Sequence, residues 1–259
     1  MTGPLAPGPG ETLDRLSFAR QVLQRARGHR SATDDVLAAW CAWQAAPGAT
    51  RLLDLGCGHG TVSMYLTSVL PVHGVGVEAQ AVSADLARRN MRLNGIEDRI
   101  SIHLGDLRSL TAEVLAALEG PTEFDLVTGT PPFMPPGTGV LPKDPQRAAA
   151  RFELRGGIEE YCATAARFLA PGGSVSMLMD GSQDARCRDA VAVAGLHLRR
   201  RLVVLPREGR APRYIGYVAG AEPHLEDDHV LTVRDAAGAH TAAYRAVRQA
   251  LRIEAPDGQ

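Results

Sequence analysis

Leu52-Leu53-Asp54-Leu55-Gly56-Cys57-Gly58-His59-Gly60 is followed about twenty residues on by Val75-Gly76-Val77-Glu78, and the two stretches divide the work of holding a nucleoside. Leu52, Leu53 and Leu55 read as a buried parallel strand, the glycines let the chain turn sharply and come close to a ligand, and 61 to 70 reads as the following helix. A dinucleotide fingerprint would need glycine at the position of Thr61, whereas here Gly56, Gly58 and Gly60 alternate behind Asp54. Glu78, at the end of the next strand, suits a ribose diol. After a third strand, Ile100 to Leu104, Gly105-Asp106-Leu107 offers a carboxylate to accept from an adenine amino group and an apolar side chain to cover the ring.

Phe124-Asp125-Leu126-Val127-Thr128-Gly129 then leads into Thr130-Pro131-Pro132-Phe133, a rigid tetrad at the carboxyl end of the fourth strand, where ligands react in open parallel sheets. Two prolines fix φ and remove two donors, leaving carbonyl acceptors, and the aromatic ring offers a flat surface to a planar substrate. The combination suits an amine acceptor: acceptors around the hydrogens of an exocyclic amine favour its pyramidalisation as it approaches an electrophile. The following Met134-Pro135-Pro136-Gly137-Thr138-Gly139 makes the acceptor loop stiff and apolar, the competing reading being merely a rigid lid.

These residues require a frame. Strand signals at 52–55, 73–77, 100–104 and 124–128 alternate with helix signals at 61–70, 80–93 and 110–118. A helix at 158–169 closes on Pro171-Gly172-Gly173, a strand follows at 174–179, and strands at 197–205 and 214–219 read as an antiparallel hairpin at one end of the sheet. The predicted fold is α/β and Rossmann-like, a mostly parallel seven-stranded sheet with a C-terminal antiparallel hairpin and helices on both faces. Residues 1–10, rich in glycine and proline, read as a disordered tail, 11–50 as an N-terminal helical cap, with helical spacing from Glu11 to Arg27, and 51–255 as the catalytic domain.

A net charge of -1 argues against a surface that grips nucleic acid everywhere, so any RNA contact is local. The candidate patch is Arg199, Arg201, Arg207, Arg210 and Arg213; the competing reading is a solvated face in a chain whose only lysine is Lys143. Residues 222–229, Glu-Pro-His-Leu-Glu-Asp-Asp-His, read as an acidic surface turn, with no metal site expected. Cys41, Cys57, Cys162 and Cys187 are scattered thiols, and the absence of a long apolar run points to a cytoplasmic protein with no membrane contact.

The motif from Asp54 to Gly60 resembles motif I of class I methyltransferases, and the Pro-Pro-aromatic element resembles the Asn/Asp-Pro-Pro-Tyr/Phe acceptor motif of the N6-adenine enzymes. Within these the chain is similar to the valine-tRNA adenine-N6 methyltransferase group of the methyltransferase small domain family. The likeness runs from Thr33-Asp34 and Ala39-Trp40 through Glu78, Asn90, Asn94 and Asp106 to the 147–153 segment and the end helix 244–251. It implies S-adenosyl-L-methionine as cofactor, held by Thr33, Asp34, Asp54, Gly56, Cys57, Gly58, Gly60, Glu78, Asp106 and Leu107. It implies Thr130, Pro131, Pro132 and Phe133 as the catalytic element, and tRNA or another structured RNA as partner. One position departs: the family has Asn or Asp where this chain has Thr130, whose hydroxyl is shorter and lacks an amide or carboxylate. Three accounts stay open: the hydroxyl substitutes, the acceptor belongs to a small molecule or protein, or cofactor binding persists without catalysis.

Overall fold

The computed structural model describes residues 5–118 and 120–254. The expected tail at 1–4 and the domain end at 255 lie outside the described residues. The chain opens with an antiparallel pair, β1 (Glu11–Arg15) and β2 (Gln21–Arg25), followed by α1 (Thr33–Ala45). The alternating part then runs β3 (Arg51–Leu55), α2 (Thr61–Val69), β4 (His73–Glu78), α3 (Ala81–Leu93), β5 (Ile100–Leu104), α4 (Ala112–Ala117) and β6 (Phe124–Gly129). After the acceptor loop come α5 (Pro145–Arg151), α6 (Ile158–Phe168), β7 (Leu169–Asp180), α7 (Asp184–Val193), β8 (His197–Leu205), β9 (Tyr214–Gly220), β10 (Asp227–Thr232) and α8 (Ala242–Ala250).

The main sheet has the order β10-β8-β9-β7-β6-β3-β4-β5. Strands β3 to β7 pair in parallel, and β9 is antiparallel to both β7 and β8. The period of two sorts side chains between two cores. Leu52, Leu126 and Leu178 meet α1, α2, α3 and α8, while Leu53, Leu55, Val127 and Val175 meet α6 and α7. The chain reverses its direction of travel across the sheet between neighbouring β3 and β6, so their carboxyl ends open the crevice in which such sheets take ligands.

Three expectations are corrected. The sheet has eight strands among the described residues, because part of the 222–229 acidic turn becomes β10, parallel to β8. Its acids face arginines in register, Asp227 opposite Arg200 and Asp228 opposite Arg201, a charge pairing that composition alone had made look like a turn. The helical reading of 11–27 also fails. Leu13 pairs with Leu23 across β1 and β2, and β2 finds its other partner in a helix: Asn90 bonds the N–H and C=O of Leu23 at 2.7 and 3.0 Å, and Asn94 bonds those of Gln21 at 3.0 and 2.9 Å. Four helical residues rise about 6 Å and two strand residues about 6.6 Å, so amides four apart on α3 serve backbone groups two apart on β2. Finally, residues 5–10 are held in turns, with Arg89 donating to the Ala6 carbonyl and Glu11 accepting from Gly8 N–H.

Candidate active site

One pocket collects residues from the carboxyl ends of β3, β4, β5 and β6: Asp54, Gly56, Cys57 and Gly58; Glu78; Asp106 and Leu107; Thr130, Pro131, Pro132 and Phe133. Its walls also include His29 before α1, Asp34 and Asp35 in the first turn of α1, Ala149 and Ala150 of α5, and Arg155 and Tyr161. The expected cofactor and catalytic residues are together except for Thr33 and Gly60, and none of the five arginines of the expected RNA patch lines the pocket. Thr33 turns to the C-terminal helix, where it hydrogen-bonds the Tyr244 phenol. Gly60 caps α2 with φ +88, and a Cβ there would meet Met91 Cε at 2.6 Å, so it serves the contact with α3. Arg199 and Arg201 lie away from the pocket in ways described below.

The glycine turn fits a nucleoside cofactor. Gly58 has φ +58 and a Cβ built there meets nothing within 4 Å, which leaves the approach to its backbone open. Its N–H donates to Glu78 at 3.0 Å, and the Gln80 N–H donates to the other carboxylate oxygen at 2.7 Å. Each oxygen keeps a lone pair for a diol hydroxyl. Burial pushes the Glu78 carboxyl up, against the charge of Arg155 and those backbone donors. Asp54 accepts from Ser63 Oγ at 2.6 Å, and burial, assisted by Glu78, raises it to about 7. Desolvation and the neighbouring Asp34 raise Asp35 to about 8, while its carboxylate accepts from the Ala32 N–H at the start of α1. Asp34, Asp35, Asp54 and Glu78 therefore form a pocket end that favours positive charge in a ligand. Asp106 is engaged with Arg108 at 2.9 and 2.7 Å, a bond that holds it below the ordinary carboxylate range.

At the other end, Thr130 Oγ1 is buried without a hydrogen-bond partner among the described residues. A buried hydroxyl costs about 1–3 kcal/mol when left unpaired, so it is suited to accept or donate to a bound group. Phe133 is held from two sides. Its ring leans on Tyr214, centroids 5.7 Å apart and planes at 49°, and its carbonyl accepts from Gln183 Nε2 at 2.5 Å. Gln183 is in turn bonded by Arg186, which also grips Glu153 and Glu159. His59 is neutral, pushed down to about 3 by burial, and pairs with Thr61 at 2.9 Å.

Tyr214, Gln183, Tyr161, Arg155 and His29 were not singled out from sequence. They carry no motif: packing of distant segments brings Tyr161, Arg155 and His29 to the pocket wall and sets Tyr214 and Gln183 against Phe133. The arginine patch divides. Arg201 is bound by Asp184 and Asp228, and Arg199 donates to the Gly173 carbonyl at the amino edge of the sheet. Arg207, Arg210 and Arg213 are exposed in the β8–β9 loop at the carboxyl edge, where Arg213 bonds Asp180 and lies 5.3 Å over Tyr214.

A family description, methyltransferase small domain, matches residues 42–188. The chain is 30% identical over 216 residues to the tRNA1(Val) (adenine(37)-N6)-methyltransferase of Shewanella amazonensis, covering 83% of this chain and 88% of that protein. It is 32% identical over 169 residues to the protein of the same name from Porphyromonas gingivalis, 64% of each chain. Among solved structures, a predicted O-methyltransferase from Agrobacterium tumefaciens aligns with a TM-score of 0.58 at 19% identity, over 86% of this chain and 99% of that one. A putative class I S-adenosylmethionine-dependent methyltransferase from Listeria monocytogenes aligns at 0.53 and 14%, over 86% and 73%. At such identities the two structures speak for the fold alone. With the family matched over more than half its length and a pocket fitted to a nucleoside cofactor, the chain belongs to the methyltransferase small domain family and is an S-adenosylmethionine-dependent methyltransferase.

Proposed function

We propose that the enzyme methylates N6 of an adenine in tRNA, with Thr130-Pro131-Pro132-Phe133 as the acceptor element. The observation that carries this reading is the buried, unpartnered Thr130 hydroxyl in the same pocket as the glycine turn and Glu78. The names of the relatives from Shewanella amazonensis and Porphyromonas gingivalis support it. The cofactor supplies an activated methyl sulfonium. Asp54, Gly56, Cys57 and Gly58 seat its methionine end beside Asp34, Glu78 takes the ribose hydroxyls, and Asp106 with Leu107 takes the adenine.

The target base leaves its stack and lies against Phe133. Thr130 Oγ1 and the Pro131 carbonyl accept the two amino hydrogens, which turns the nitrogen lone pair toward the methyl group. Bound there, S-adenosylmethionine would supply the methyl group and leave as S-adenosylhomocysteine, and the nitrogen would shed its proton afterwards, so no side chain is assigned as general base. Acting on tRNA, the enzyme works in the cytoplasm, with 11–50 as a cap on a catalytic domain at 51–255.

The test is incubation with methyl-labelled cofactor and separate pools of unmodified tRNA, total protein and small metabolites, with the product identified by mass spectrometry. N6-methyladenosine in the tRNA pool is expected. Label confined to the other pools would refute the reading.

A further inference from the structure

Four cations follow one another at intervals of four residues on the segment that roofs the pocket: Lys143, Arg147, Arg151 and Arg155. Arg147 and Arg151 stand on one face of α5, since side chains four apart share a face. The helix buries Gln146 and Ala148, and Ala149 and Ala150 line the pocket, which leaves Lys143, Arg147 and Arg151 exposed to solvent. The acids of the segment are consumed elsewhere. Asp144 caps α5 through the Arg147 N–H at 2.9 Å and pairs with Arg25 at 2.9 Å, and Glu153 faces inward to Arg186 at 2.7 Å. Among the described residues, no carboxylate pairs with Lys143, Arg147, Arg151 or Arg155; the Arg151 guanidinium touches only Met134 sulfur, at 3.8 Å.

The track is tied to the acceptor element. The Met134 N–H, one residue after Phe133, donates to the Arg151 carbonyl at 2.9 Å, and the Glu153 N–H returns a bond to Met134 at 3.0 Å. Gln146 fixes the other end, donating to Ser83 at 3.0 Å and accepting from Arg25 at 3.2 Å. Arg155 sits at the pocket wall. Arg213 of the β8–β9 loop lies over Tyr214, whose ring leans on Phe133.

We infer that the exposed face of α5 is a phosphate track for the RNA backbone beside the flipped nucleotide, a surface the sequence did not single out. The inference rests on the tRNA reading above. A helix bearing arginines with no carboxylate partner, next to an element that receives a planar base, places positive charge where the strand flanking that base would pass, and arginine forks suit phosphate. It also explains how a chain with a net charge of -1 binds RNA: the positive charge is concentrated where the strand passes.

The experiment compares parent, Arg147→Gln/Arg151→Gln and Arg147→Lys/Arg151→Lys for binding of unmodified tRNA over a salt series, with S-adenosylhomocysteine present. Arg92→Gln, an exposed arginine at the far end of α3, is the control. At about 0.7–0.9 per phosphate contact, the glutamine pair should make the slope of log K against log salt shallower by about 1.4–1.8 and weaken binding on the order of tenfold at low salt. The lysine pair and the control should keep the parent slope. A parent that binds tRNA while the glutamine pair binds it equally well overturns the track alone; a lysine pair that loses the slope as well overturns it too, because the defect is then structural. A parent without tRNA affinity overturns the tRNA reading and the track together.

Discussion

On the proposed reading, Thr130 offers the acceptor amine one hydroxyl. Its Oγ1 is buried and unpartnered, but it is one bond shorter than the amide of the Asn that the N6-adenine family places there. Thr130→Asn should therefore raise kcat on tRNA about tenfold, which corresponds to about 1.4 kcal/mol of transition-state stabilisation. Single-turnover methylation of unmodified tRNA checks this, and a loss of turnover would show that the pocket is built around the threonine. Gln183 acts one step further out, through the Phe133 carbonyl. Gln183→Leu should loosen the acceptor loop, lowering kcat between about ten- and a hundredfold with tRNA affinity almost unchanged. Comparison of kcat with the tRNA dissociation constant separates this from a binding defect. That Glu78, Asp54 and the tetrad would meet in one pocket was legible because they sit at short spacing near the ends of parallel strands. Gln183 and Tyr214 were not, because each reaches the site across about fifty residues or more of chain, and nothing local marks a glutamine that supports a distant carbonyl.

At the scale of elements, the strands of the parallel centre were readable because burial on both faces makes them nearly continuous apolar runs, as in Leu52 to Leu55. The N-terminal hairpin was not. The Leu13, Leu16 and Val22 spacing fits a helix as well as a strand, and the partner of β2 is a pair of side chains on α3, about seventy residues away. The same pairing sets its energetics. Asn90 is wholly buried, satisfies both backbone groups of Leu23 and donates to the His59 carbonyl at 2.8 Å, so it joins the hairpin to the glycine turn. Asn90→Ala strands three buried backbone groups. At about 1–3 kcal/mol for each unsatisfied group, offset by water entering, the expected loss is about 3 kcal/mol in urea unfolding. Cofactor affinity should fall with it, because the His59 carbonyl holds the loop that carries Gly58. A loss below about 1 kcal/mol, with cofactor affinity intact, would show that the hairpin is not coupled to the site.

Across the whole molecule, acids with raised pKa values are gathered at the cofactor end, and this sets how stability responds to pH. Asp54 titrates at about 7 and Asp35 at about 8 in the fold, whereas unfolded aspartates titrate near 3.9. Between those values the folded chain holds more protons than the unfolded one, so stability falls as pH rises. Buried His59, lowered to about 3, and His29, also lowered by burial, oppose this up to about pH 6.5, because the unfolded histidines carry the extra protons there. Above that pH the histidines are neutral in both states and the aspartates decide the sign. The cofactor-free protein should lose on the order of 1–2 kcal/mol between about pH 6.5 and 8.5, the figure being reduced for the solvent that screens Asp35 at the pocket rim. A bound cation reverses the balance by stabilising the ionised carboxylates. Affinity for S-adenosylmethionine should rise with pH across the same window, and binding at pH 7 should release protons to buffer. Calorimetric titrations in two buffers of different ionisation enthalpy measure that release directly. Equal apparent enthalpies in both would mean that the acids at the cofactor end are already ionised before binding, and that the aspartates do not control stability above neutrality.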